Sequence, residues 1–121
     1  MSSDLVKFVS FDGPTKNRCV SMYFYDKREW SHLSEGIRHV VETILRAPST
    51  FRLKCFEVAV SDVYGDLFGA IRHSIKTRYP TCMSATCYRI ECSMKEERLS
   101  MQCYYSESSG HMNLTCRREE D

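Results

Sequence analysis

The sequence is short of most features that announce a function. It has no excess of either charge: 17 Lys and Arg stand against 16 Asp and Glu, a formal net charge of +1. A balanced chain has no global field to hold it on nucleic acid or an anionic membrane, so such binding must come from a local patch. No long apolar run occurs, and the opening Met1-Ser2-Ser3-Asp4 carries no basic segment. Neither a membrane span nor a secretory signal is therefore expected, and the chain reads as cytoplasmic or nuclear, not secreted. Glycine (5) and proline (3) are scarce, and there is no glycine-rich phosphate loop, no G-x-S-x-G and no H-E-x-x-H. His32, His39, His73 and His111 are scattered. With no reaction-specific constellation, neither an enzyme nor a resident cofactor is expected. Repeats and low-complexity linkers are missing too, and 121 residues suffice for one compact domain, 1–121, that folds without metal or disulfide staples.

What is present is clear periodicity. Leu5 to Phe11, the turn residues Asp12-Gly13-Pro14-Thr15 and Arg18 to Tyr25 read as a β-hairpin. From Ser31 or Ser34 as N-cap, Ile37, Val40, Val41, Ile44 and Leu45 recur at helical spacing and stop before Pro48. Phe51 to Val60 is a β-run whose apolar parity switches midway, which suits a central strand covered on both faces. Ser61 or Asp62 then caps a second helix with Tyr64, Leu67, Phe68, Ile71 and Ile75 inward, ending before Pro80. After a loop at about 81–85, strict alternation appears three times: Tyr88 to Met94, Leu99 to Tyr105 and Met112 to Cys116. The expected fold is α+β in the order ββαβαβββ, with two helices packed on one face of a mainly antiparallel sheet.

The conspicuous excess is seven cysteines. Cys92, Cys103 and Cys116 share the parity of Ile90, Met101 and Leu114, so they read as small core residues. An odd count without a secretory signal argues against a disulfide framework. The alternative is zinc held by Cys82, Cys87, His111 and Cys116. Cys82-x₄-Cys87 is the nearest pair to a zinc knuckle, and a second knuckle is missing.

Two short resemblances bear on partners. Leu53-Lys54-Cys55-Phe56-Glu57 matches L-x-C-x-E, and in this it resembles small DNA-virus proteins that engage the retinoblastoma pocket. The resemblance implies a protein-binding role for Leu53, Cys55 and Glu57, which period-2 spacing sets on one side of a strand. The same run lies in an expected core strand, which would bury Leu53 and Cys55. Leu33-Ser34-Glu35-Gly36-Ile37-Arg38 is similar to a helical segment of the pathogenicity proteins of plant-virus betasatellites. That resemblance implies suppression of RNA silencing, contacts with nucleic acid and host factors, and self-association.

One stretch departs from the charge balance. From Leu67 through Ile90 there are Arg72, Lys76, Arg78 and Arg89 and no Asp or Glu, with His73 among them. Arg72, His73 and Lys76 share a helical face, while Tyr79 and Tyr88 flank the following loop and suit base stacking. The bland account is a helix C-terminus complementing its own dipole. The sequence thus reads as a non-enzymatic binding protein of viral accessory type. It would suppress host defence through RNA contacts at Arg72, His73, Lys76, Arg78, Tyr79 and Arg89, through a host protein, or both. A homodimer through a sheet edge is the expected self-association. The alternatives are a zinc-dependent nucleic-acid-binding module and a retinoblastoma-pocket binder.

Overall fold

The computed structural model describes residues 19–24, 30–51, 53–62 and 64–119. The elements run β1 (Cys19–Phe24), α1 (Trp30–Arg46), β2 (Cys55–Ser61), α2 (Asp66–Arg78), β3 (Met83–Ala85), β4 (Arg89–Met94), β5 (Leu99–Ser106) and β6 (His111–Arg118). Short 3-10 turns occupy Pro48–Thr50 and Lys95–Glu97. The expected strand Leu5 to Phe11 and its turn Asp12 to Thr15 lie outside the described residues.

Among the described residues one six-stranded sheet has the order β1-β2-β6-β5-β4-β3. Four of its five pairings are antiparallel, as expected, but β1 and β2 run parallel. A parallel pair needs a crossover connection, and α1 provides it between them. The expected loop at 81–85 contributes an edge strand instead: Met83, Ser84 and Ala85 pair with Cys92, Glu91 and Ile90. Its three residues give that edge little pairing capacity.

The alternating residues build one core. Across the sheet, Val20, Phe56, Cys116, Met101 and Cys92 form one row, and Met22, Val58, Leu114, Cys103 and Ile90 the next. Onto this face pack Ile37, Val40, Val41, Ile44 and Leu45 of α1 and Leu67, Phe68, Ile71 and Ile75 of α2, all in the same buried cluster. Tyr105, on the same strand parity, meets the Phe68 ring at a centroid distance of 5.6 Å.

Helix α1 begins at Trp30, ahead of the expected caps. Helix α2 starts at Asp66, so Tyr64 precedes it and is 84% exposed rather than inward. The N-cap position of α2 is Gly65 rather than Ser61 or Asp62, but the Asp62 side chain still serves the helix start from four residues ahead of it. Its fully buried carboxylate accepts the Leu67 and Phe68 N–H groups at 3.1 and 2.9 Å. Gly65 turns the chain between Asp62 and the helix at φ 72, a left-handed conformation that a Cβ disfavours. At the far end of the sheet, Arg118 donates to the carbonyls of Pro48 (3.2 Å), Glu97 (3.3 Å) and Phe51, fastening the first 3-10 turn to β6. No helix among the described residues is long and apolar enough to cross a membrane.

Candidate nucleic-acid interface

The face of the sheet opposite the helices carries the other strand parity, and most of it is exposed or half-exposed. Register places Tyr23, Ala59, Asn113, Tyr104 and Arg89 in one row across β1, β2, β6, β5 and β4. Tyr23 is 60% exposed and Tyr104 38% exposed. They stand three strand steps apart, about 14 Å at ordinary strand spacing, with the small, buried Ala59 and the exposed Asn113 between them. The Arg89 guanidinium lies over the Tyr104 ring, 5.5 Å from its centroid, and also pairs with Glu91. The Tyr104 hydroxyl reaches the Gln102 side-chain oxygen at 3.5 Å.

The next row holds Ser21, Glu57, Thr115, Gln102 and Glu91. There Ser21 donates to Glu57 at 3.2 Å. Beyond it lie Cys19, Cys55, Arg117 and Ser100. In these rows Arg89 and Arg117 are offset by Glu57 and Glu91. The surface is therefore aromatic and amide-rich with little net charge, able to stack flat rings and hydrogen-bond their edges but weak in attracting phosphate.

The expected basic site does not assemble as one surface. His73 and Lys76 are exposed on α2. Arg72 lays its guanidinium over Phe68 at 5.7 Å, with its Nε buried and unbonded. Arg78 is engaged by Glu42 at 3.3 Å. A hydrogen bond from Ser74 and the charge of Arg78 hold the Glu42 carboxyl below its ordinary value despite some burial. Tyr79 is half-buried against the core and donates its hydroxyl to the Leu45 carbonyl at 3.0 Å, so it serves packing rather than base stacking. Arg89 points from the opposite face of the sheet.

Burial and placement also bear on the other two site expectations. Leu53 is 0% and Cys55 6% exposed, and β2 has both edges paired, to β1 and β6. Leu53 and Lys54 lie ahead of β2, and Leu53 and Cys55 would have to leave the core, and Cys55 to Glu57 their sheet pairings, before the run could lie extended in a partner's groove. The four expected zinc ligands are not gathered either. Cys116 is fully buried among Phe56 and Met101, His111 opens the same strand on the other parity, and Cys82 and Cys87 are exposed beside the β3 edge, three strands away. Among the described residues no group of three or more His, Cys, Asp or Glu is placed to hold a metal ion.

Sequence reasoning missed Tyr23, Asn113 and Tyr104. A signal existed: Tyr23 and Tyr104 are aromatics on the polar parity of alternating strands, beside Ser21 and Gln102 respectively. No family model matches the chain, and no curated protein or solved structure matches it.

Proposed function

We propose that this protein is a non-enzymatic binding module that takes single-stranded RNA on its outer sheet face. The observation that carries this reading is the row Tyr23, Asn113, Tyr104 and Arg89, with two exposed rings on a solvated sheet. Aromatics raised on an open sheet bind unstacked bases because every base has a π-face, and neighbouring amides read the base edges. The short likeness of Leu33 to Arg38 to betasatellite pathogenicity proteins supports a viral setting, with suppression of host RNA silencing as the outcome.

Titration of labelled single-stranded RNA with the purified chain tests the reading. Tyr23→Ala and Tyr104→Ala should each weaken binding by about 5- to 150-fold, the equivalent of roughly 1–3 kcal/mol per lost stack. With Arg89 and Arg117 the cations in these rows among the described residues, the salt slope should be shallow, about −1.4 for two phosphates at −0.7 each. A helix-side site at Arg72, His73 and Lys76 predicts the opposite pattern. In that case Arg72→Gln with Lys76→Gln would abolish binding, and the tyrosine variants would bind as the parent does.

A further inference from the structure

Register sets Cys19 of β1 directly beside Cys55 of β2. Partners on adjacent strands point to the same face, and strands lie about 4.7–4.9 Å apart, inside the roughly 4.4–6.8 Å Cα separation that a disulfide spans. The two thiols differ in access: Cys19 is exposed, whereas Cys55 is 6% exposed. On its other side Cys55 has Arg117 as register partner. Burial pushes the Cys55 thiol up, while a hydrogen bond from Arg117 and its charge pull it back. Both cysteines open onto a shallow pocket of about 600 Å³ lined also by Lys54, Arg117, Arg118 and Glu119. Among the described residues its lining sets three cations against one carboxylate, which favours a net-negative visitor there.

From this juxtaposition we propose that Cys19 and Cys55 form a reversible cross-strand disulfide, made by exchange with glutathione disulfide or another anionic low-molecular-weight disulfide. The Cys19 thiolate attacks one glutathione sulfur, forming a Cys19–glutathione disulfide and releasing one glutathione thiolate. The Cys55 thiolate then attacks the Cys19 sulfur, closes the protein disulfide and releases the second. The two protein thiols are oxidised and the small disulfide is reduced to two thiols, which take up the two protons the protein gives off. Access makes the exposed Cys19 the attacking thiol and the buried Cys55 beside it the resolving one, and Arg117, its register partner, lessens the rise that burial imposes on the Cys55 thiol. Closure fastens β1 to β2. Excess reduced glutathione reverses it.

Peptide mapping of the full chain after incubation in glutathione buffers of graded oxidised-to-reduced ratio, with alkylation of remaining thiols, tests this assignment. The parent protein should lose two hydrogens, map to a Cys19–Cys55 cross-link and return to the dithiol under reducing ratios. Cys55→Ser and Cys55→Ala should stop at glutathione bound to Cys19. Cys19→Ser should carry neither the cross-link nor glutathione on position 55. Arg117→Leu should let the Cys19 adduct accumulate by slowing closure several-fold. The proposal is overturned if the parent keeps glutathione on Cys19 without closing, if its cross-link maps to Cys82 or Cys87, or if neither Cys19 nor Cys55 reacts. The parent's own map decides this even if a Cys55 variant folds poorly.

Discussion

Seven residues of one type meet three different fates. Cys92, Cys103 and Cys116 are at most 2% exposed within the helix-covered face, Cys19, Cys82 and Cys87 face solvent, and Cys55 is buried on the outer face beside Cys19. Burial pushes the Cys92 thiol up to about 11, and pushes Cys103 and Cys116 up further. These thiols stay protonated in the folded chain while an unfolded cysteine ionises near pH 8.5–9. Their contribution to stability is therefore complete below about pH 9 and falls as pH rises from there, through 11 for Cys92 and beyond it for Cys103 and Cys116, because the unfolded chain gives up its protons first. Urea denaturation from pH 7 to 11 should show flat stability at first and a decline from about pH 9. In the native protein at pH 8, iodoacetamide should label Cys19, Cys82 and Cys87 and spare Cys92, Cys103 and Cys116. Equal labelling of Cys103 would contradict a closed core. The core cysteines were legible because parity is a local property of one strand. The pairing of Cys19 with Cys55 was not, because register between strands separated by a whole helix leaves no trace in either strand's own pattern.

Among the elements, α2 shows how a cap and a helix start can come apart. Asp62 was recognisable as a capping residue, yet the helix begins only at Asp66, after the left-handed Gly65. The shift of start turns Tyr64 out of the buried set and leaves Leu67, Phe68, Ile71 and Ile75 to carry it. Two buried N–H groups depend on the Asp62 carboxylate. Asp62→Ala should cost about 2–3 kcal/mol of unfolding free energy, read from urea midpoints at constant slope, and Asp62→Asn should cost less since it keeps one acceptor oxygen. A loss under about 0.5 kcal/mol for the alanine variant would mean that other acceptors replace it. The strand β2 makes a related point. The parity switch within Phe51 to Val60 was readable as a centrally placed strand, but pairing begins only at Cys55, and Leu53 ahead of it is buried in the core outside the strand.

At the scale of the whole molecule the sheet divides two kinds of chemistry. One face, under α1 and α2, is apolar and closed; the other is polar and carries the exposed tyrosines. The basic stretch from Arg72 to Arg89, continuous in sequence, is split by this division, with α2 on the first side and Arg89 on the second. The parallel β1–β2 pair lies at one end of the sheet and depends on a crossover rather than a hairpin for its connection. Joining Cys19 to Cys55 closes that long connection into a ring, which by loop entropy should stabilise the oxidised protein by roughly 3–4 kcal/mol. Urea midpoints measured in parallel on cross-linked and reduced protein give the difference, and equal midpoints would show that the bond strains the native pair by as much as it restricts the unfolded chain.

The sequence by itself determined the α+β class, the two helices, the alternating strands from Arg89 onward and the inward parity of Cys92, Cys103 and Cys116. Each is dictated by spacings of two or of three to four residues within a single element. Tertiary structure alone decided that β1 runs parallel to β2, that Tyr23, Asn113, Tyr104 and Arg89 share a row, that Arg89 parts from Arg72, and that Cys19 meets Cys55. These depend on which strands pair, in which direction and in which register. That outcome is set by how two amphipathic helices and six strands bury their apolar faces together, a condition on the whole chain that no local period contains.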